Sequence, residues 1–398
     1  MIASLALDEI GGFVDAHFHF VAMIFGEITE FVFGVISEAL DFVENVVHAS
    51  LRSARVVHPP SGTIRKRSPR VTGALSMCAR LVDGNPRARR TELLAKFAFK
   101  RSNGCAMVGL TSDMCAAYLR RLGLYAEPPS VEALGALMRR HVQRVPYETM
   151  WIHMGDLWNV DPVESARRIA MSDRGGYCFH LNGAFSSLLA TLGYSVQRHV
   201  GGVHGPEGPD PLTLTNHLVL TVHGLPTDTN SVGDWYIDVG LGDALYEPLP
   251  LSEGQFTQGP FVLTLNQQRH SEGGRVGDWH LQHDPNGVFV GMNWCAEPAE
   301  MRDFEQRNLV LSTSPESNFA KVALAMRRDA TGVDMMRGLM LVRLGEGIPE
   351  PTFLTERANW FAALADIFGL TFANVSAEMV DALWLRALTT HEAWAARH

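Results

Sequence analysis

Two adjacent glycines, Gly175 and Gly176, stand directly ahead of Tyr177-Cys178, and no other feature restricts the local fold of this chain as tightly. A glycine pair lets the backbone turn sharply. After it, Leu181, Phe185, Leu188, Leu189 and Leu192 recur at helical spacing, and Gly193 follows as a C-terminal cap. The pattern predicts a tight turn feeding a helix, with Cys178 at the helix N-terminus. Unpaired backbone N–H groups and the positive end of the helix dipole favour a thiolate over a thiol there, and the thiolate is the nucleophilic form. A buried structural cysteine is the competing reading, because burial is the common fate of a free cysteine. Position alone leaves the two open.

The next two elements bear on that choice. Asn216 to Val222 and Trp235 to Val239 are β-rich runs, joined by a loop that holds Gly224, Pro226, Asp228, Asn230 and Gly233. A hairpin is the simple outcome. With the pair antiparallel and the loop centred near Thr227 and Asp228, His217 and Asp238 lie almost opposite each other, close enough for an imidazole–carboxylate hydrogen bond. A carboxylate fixes the tautomer and the ring of a histidine, and the imidazole takes a thiol proton and later returns one to the leaving group. Taken singly, Asp238 reads as a turn residue before Gly240 and Gly242, and His217 as a satisfied strand histidine. Together they supply what a nucleophilic Cys178 requires.

Composition bounds the rest. A chain of 398 residues, 46% of them hydrophobic, is too large for one small core and predicts two or three domains. The formal net charge of -9 and a pI near 6.0 argue against a nucleic-acid partner, whose phosphates need a basic surface. Five cysteines without repeated spacing suggest neither a disulfide framework nor a zinc cluster, which fits a reducing cytoplasm. No hydrophobic run reaches the roughly 20 residues of a bilayer-spanning helix, and the N-terminus lacks a positive signal-peptide region, so neither a membrane nor secretion is expected. No metal is expected either: His180 beside Cys178 has no accompanying Cys-x-x-Cys or His-x-x-x-His run. His153, His199, His204 and His223 are assigned to surfaces or strand ends, and Trp151, Trp158, Trp360, Trp384 and Trp394 to core or surface anchoring.

The first hundred residues differ in kind. Met1 to Leu51 contains no Lys or Arg and eight acidic residues, whereas Arg52 to Arg101 carries thirteen basic residues against Asp83 and Glu92. Acidic positions from Glu27 to Glu44 alternate with apolar ones from Phe31 to Val47 at the period of one amphipathic helix. Residues 1–106 therefore read as an N-terminal extension, a helix plus a basic linker, either a docking face or a poorly ordered segment. Beyond it, Ser130 is a helix N-cap ahead of Val131, Leu134, Leu137, Met138 and Val142, which share one face until Pro146.

The run Arg174-Gly-Gly-Tyr-Cys178-Phe, then His217, then Asp238-Val-Gly-Leu-Gly242, resembles the arylamine N-acetyltransferase family. Tyr118 to Gly123 and His141 through Pro146-Tyr147-Glu148 are similar to the family's opening helix and its Pro-Phe-Glu-Asn segment. Asp303 to Asn308 and Ser312 to Phe319 are similar to its entry into a third domain. The resemblance covers about residues 111–398. It implies an α+β fold with a helical bundle (107–195), a central β-barrel-like domain (196–300) and a C-terminal α/β lid (301–398). It implies a cysteine-protease-like Cys178, His217, Asp238 site, with Tyr147, Gly240, Leu241 and Gly242 lining the substrate and Arg174 and Glu148 supporting the site. The implied reaction takes an acetyl group from acetyl-CoA onto Cys178 and passes it to an arylamine, arylhydroxylamine or hydrazine. His180 stands where the family usually has Glu, Thr149 where it has Asn, and Leu241 where Phe is frequent. Two other expectations stay open: an amide synthase or other thiol acyl-transfer enzyme using the same three residues, and a non-catalytic binding protein on the same scaffold.

Overall fold

The computed structural model describes residues 107–397 except 211–213, 269–276 and 348, so the acidic helix and basic linker expected within 1–106 lie outside the described residues. Helices open the described chain: α1 (Ser112–Leu122), α2 (Val131–Arg144), then the short strand β1 (Tyr147–Glu148), α3 (Met150–His153), α4 (Pro162–Met171) and α5 (Cys178–Thr191). Their starts follow local chemistry. Thr111 caps α1 and Ser130 caps α2 through their hydroxyls, and the Asp161 carboxylate accepts from the N–H groups of Val163 and Glu164 with Pro162 inside the first turn of α4. Helix α5 differs from these: every residue from Cys178 to Leu189 is buried. It packs against α4 and α1 and against the first strands of a sheet.

That sheet is built from β2 (Ser195–His204), β3 (His217–His223), β4 (Trp235–Ile237), β5 (Leu249–Pro250), β6 (Gly254–Gln258), β7 (Phe261–Gln267), β8 (Trp279–Gln282) and β9 (Gly291–Pro298). All pairs are antiparallel in the order β5-β4-β3-β2-β9-β8-β7-β6. The two edge strands, β5 and β6, are joined by residues 251–253 alone, which brings the edges together and curls the sheet into a nearly closed barrel. Tyr236, Trp294 and Trp279 stack in series within it. A one-turn 3-10 helix (Met301–Phe304), α6 (Glu305–Thr313) and α7 (Asn318–Lys321) lead out of the barrel.

The second sheet holds β10 (Leu324–Asp329), β11 (Gly332–Arg337), β12 (Met340–Gly345) and β13 (Thr352–Phe353), with β1 from the helical segment added at the β10 edge. Tyr147 pairs with Met326 and Glu148 with Ala325. Helices α8 (Arg357–Phe368) and α9 (Ala377–Ala395) cover this sheet: Trp360, Leu364, Phe368 and Leu383 pack with Met150, Ala325, Met336 and Leu339. Each such large side chain contributes roughly 1.5–3 kcal/mol by leaving water. Between the sheets, the buried Arg328 of β10 donates to the carbonyl oxygens of Ala244, Gln258 and Gly332, which gives its guanidinium partners that burial would otherwise remove. No described helix is long and apolar enough to cross a membrane.

Two histidines depart from the sequence expectation. His153 and His199 are buried within elements, whereas His204, also buried, ends β2 and His223 ends β3, as expected. His199 and His204 lie on β2, an interior strand flanked by β3 and β9, and burial there demands partners. His199 bonds Thr221 Oγ1 at 2.8 Å and the Glu297 carbonyl at 3.2 Å, His153 bonds the Phe319 carbonyl at 2.9 Å, and His204 stacks on His280.

Candidate active site

The loop ahead of Cys178 is held from below by a buried ion pair. Arg174 donates through Nε to Glu148 Oε1 at 2.9 Å and through a terminal nitrogen to Oε2 at 3.1 Å, and Oε2 also accepts the Met150 N–H at 2.9 Å. The arginine lies over the rings of Trp158 and Phe372. The Glu148 N–H donates to the Gly176 carbonyl at 2.9 Å, which ties the glycine turn to β1. A Cβ on Gly175 would stand 1.8 Å from the Pro146 carbonyl oxygen, so only glycine allows this approach.

Cys178, 3% exposed, opens α5 with its sulfur 3.5 Å from the Asn216 carbonyl oxygen. The Asn216 side chain exchanges two hydrogen bonds with the Val203 backbone, which fixes where β3 begins. His217 is the next residue. Its Nε2 meets Asp238 Oδ2 at 2.7 Å, both side chains being almost wholly buried. With Nε2 engaged by Asp238, the other ring nitrogen is the one left for Cys178. Burial acts to lower the His217 pKa. Asp238 and then Cys178 act against it and prevail, pushing it up to about 10.

The register differs from the expected one. Leu220 pairs with Ile237, Thr221 with Tyr236 and Val222 with Trp235, so continuing the ladder sets Asp238 against Val219 rather than His217. A shift of two residues keeps both side chains on one face, as diagonal neighbours within reach of a long side chain. The hydrogen bond forms by that diagonal.

A fourth residue joins these three. Asn182, one turn beyond Cys178 on α5, donates to Asp238 Oδ1 at 2.8 Å and to the Leu218 carbonyl at 2.6 Å, and its own oxygen accepts the Val239 N–H at 2.9 Å. Asp238 also accepts from the Gly240 N–H at 2.8 Å and the Tyr236 hydroxyl at 3.3 Å. Sequence reasoning missed Asn182. The signal was available in its i, i+4 spacing from Cys178.

Comparisons with known proteins place the chain in a family. A family model described as N-acetyltransferase matches residues 130–377, more than half of the chain. The arylamine N-acetyltransferase of Mycolicibacterium smegmatis is 28% identical over 282 residues, covering 69% of this chain and 98% of the relative. Human arylamine N-acetyltransferase 1 is 25% identical over 263 residues, covering 60% and 86%. The chain belongs to the arylamine N-acetyltransferase family. Among solved structures, the arylamine N-acetyltransferase of Mycobacterium marinum in complex with CoA superposes with a TM-score of 0.60 at 25% identity, covering 69% of this chain and 99% of that one.

The remaining residues that resemblance to the family singled out fall as follows. Tyr147 and Gly242 meet: a Cβ on Gly242 would lie 3.5 Å from Tyr147 Cγ and 2.2 Å from the Cε of Met326, the cross-strand partner of Tyr147. Met326 thereby packs against both residues, a contact that the sequence did not reveal. Gly240 packs against the helix start, where a Cβ would stand 2.8 Å from Cys178 Cα. Leu241 is buried in the main core. Of the three departures from the family pattern, Thr149 links β1 to β10 through its hydroxyl, which accepts the Leu324 N–H at 3.0 Å. His180 is fully buried, edge-on to Trp151, Trp158 and Tyr177, and burial followed by the Arg168 charge holds its pKa well below the usual imidazole range, the Asn159 backbone acting the other way. Among the described residues no group of three or more His, Cys, Asp or Glu side chains is placed to hold a metal ion.

Proposed function

We propose that the protein transfers an acetyl group from acetyl-CoA to an arylamine, arylhydroxylamine or hydrazine through a thioester on Cys178. The observation that carries the reading is the buried His217–Asp238 hydrogen bond of 2.7 Å at the mouth of the α5 N-terminus. Family membership and the CoA bound by the Mycobacterium marinum relative support the choice of donor.

The chemistry follows from the groups present. Cys178, as thiolate beside an imidazolium, adds to the acetyl carbonyl carbon. The tetrahedral oxyanion faces the first-turn N–H groups of Cys178 and Phe179, which have no acceptor within the helix. The bond to the coenzyme A sulfur breaks, and His217 gives that sulfur its second ring proton. The amine nitrogen then adds to the thioester carbonyl, passes a proton to His217, and expels Cys178 as thiolate. Amide forms and the ion pair is restored. Asp238 holds the ring through both steps and offsets the imidazolium charge, while Asn182 and the Gly240 N–H hold Asp238.

The test is intact-protein mass after mixing the chain with acetyl-CoA and no amine, beside Cys178→Ala. An acetyl adduct on the first and none on the second supports the covalent half-reaction, and an aromatic amine or hydrazine should then discharge it. Absence of an adduct on the unaltered chain would sink the proposal.

A further inference from the structure

Tyr147 brings to the site a hydroxyl that the protein leaves unanswered. The residue is 8% exposed, and its ring is held by Phe319 at 6.4 Å, edge to face, by its cross-strand neighbour Met326, and by the close approach of Gly242. Other largely buried tyrosines find partners: Tyr118 bonds His141 Nε2 at 2.9 Å, Tyr177 donates to Asn308 Oδ1, and Tyr236 donates to Asp238 Oδ2 at 3.3 Å. The Tyr147 hydroxyl meets none among the described residues. It is also absent from the polar atoms sealed away without a partner, which include both ring nitrogens of His180 and Asp243 Oδ1. The hydroxyl is therefore at the accessible end of an otherwise enclosed side chain.

A hydroxyl so placed has only solvent to bond, and an acceptor brought by a ligand can take the place of that solvent. Its role is that of a donor. Burial, then Cys178, Tyr177 and Asp243, raise the phenol pKa well above its ordinary value, so it keeps its proton across the physiological range.

We propose that the Tyr147 hydroxyl donates a hydrogen bond to a neutral oxygen of the acyl acceptor, so that the site selects aromatic amines and hydrazides bearing a carbonyl or hydroxyl group over those with wholly apolar substituents. This rests on the transfer reading above. The experiment compares kcat/KM for the three aminoacetophenones with that for the matching isopropylanilines, in the unaltered chain and in Tyr147→Phe. For at least one ring position the phenylalanine variant should lower the ratio about three- to tenfold, the range of one neutral hydrogen bond. Unchanged ratios at all three positions overturn the assignment. A second measurement needs no variant: acetophenone should inhibit aniline acetylation about three- to tenfold more strongly than isopropylbenzene, and equal inhibition also overturns it. Failure of the unaltered chain to form the acetyl adduct at Cys178 counts instead against the transfer reading, which keeps the two separable.

Discussion

Replacing Asp238 by asparagine separates the charge of the orienting group from its shape. The Asp238 carboxylate accepts from Asn182, Gly240, His217 and Tyr236. An asparagine oxygen can keep the first two donors at Oδ1. Its NH2 then faces His217 Nε2, and an N–H cannot accept a proton, so the imidazole must present its lone pair there and carry its hydrogen toward Cys178. That is the wrong tautomer for a base. The charge state changes as well: burial, the largest influence on His217, acts downward, and without Asp238 only Cys178 opposes it, so the value of about 10 collapses. Loss of a base by this route costs about 10³–10⁴ in rate, or about 4–5.5 kcal/mol of barrier. Single-turnover acetylation of Cys178 at neutral pH, followed by quenched intact mass, measures it, with a thermal melt to verify folding. A variant that melts normally and reacts within about tenfold of the unaltered chain would refute the argument that Asp238 governs the His217 tautomer.

Three further outcomes follow from the same geometry. Glu148→Gln leaves the buried Arg174 guanidinium short of its carboxylate and should destabilise the fold by about 3–5 kcal/mol, measurable by urea unfolding; Glu148→Gln with Arg174→Met should recover a substantial part, and strict additivity would show that the pair is uncoupled. Gly240→Ala places a Cβ against Cys178 Cα and Asn182, so acetylation of Cys178 should fall at least tenfold, a rough figure for a misplaced reacting group, and a normal rate would show that the segment after β4 can yield without disturbing the site. Stability should fall at both ends of the pH range. His217, raised to about 10, stabilises fully below its ordinary value of 6.5, and that contribution is lost as pH rises through about 10. Burial lowers His141 to about 3 and His199 to about 4, so their contribution is present above 6.5 and lost as pH falls toward those values. His141→Phe should flatten the acid limb of a melting-temperature profile, and an unchanged limb would exclude His141 as its source.

What the chain determined by itself is local. Gly175-Gly176 followed by an apolar helical run suffices to place Cys178 at a helix start, and Ser130 suffices to start α2, because a turn and a cap depend on a few neighbouring residues. The two β-rich runs were sufficient to bring His217 and Asp238 to neighbouring strands. Their register was not legible, because an eleven-residue loop between strands does not set the pairing, whereas packing against α5 and the Asn216–Val203 clasp do. Likewise the strand formed by Tyr147 and Glu148 has no signal of its own; two residues become a strand only because β10, far along the chain, offers an unpaired edge. Met326 meets Tyr147 by the same pairing, and His199 is buried because β2 lies inside a sheet rather than at its rim. Tertiary structure decided these positions for one physical reason: they depend on contacts between segments distant in sequence, whose relative placement is set by what the whole core can bury and hydrogen-bond together.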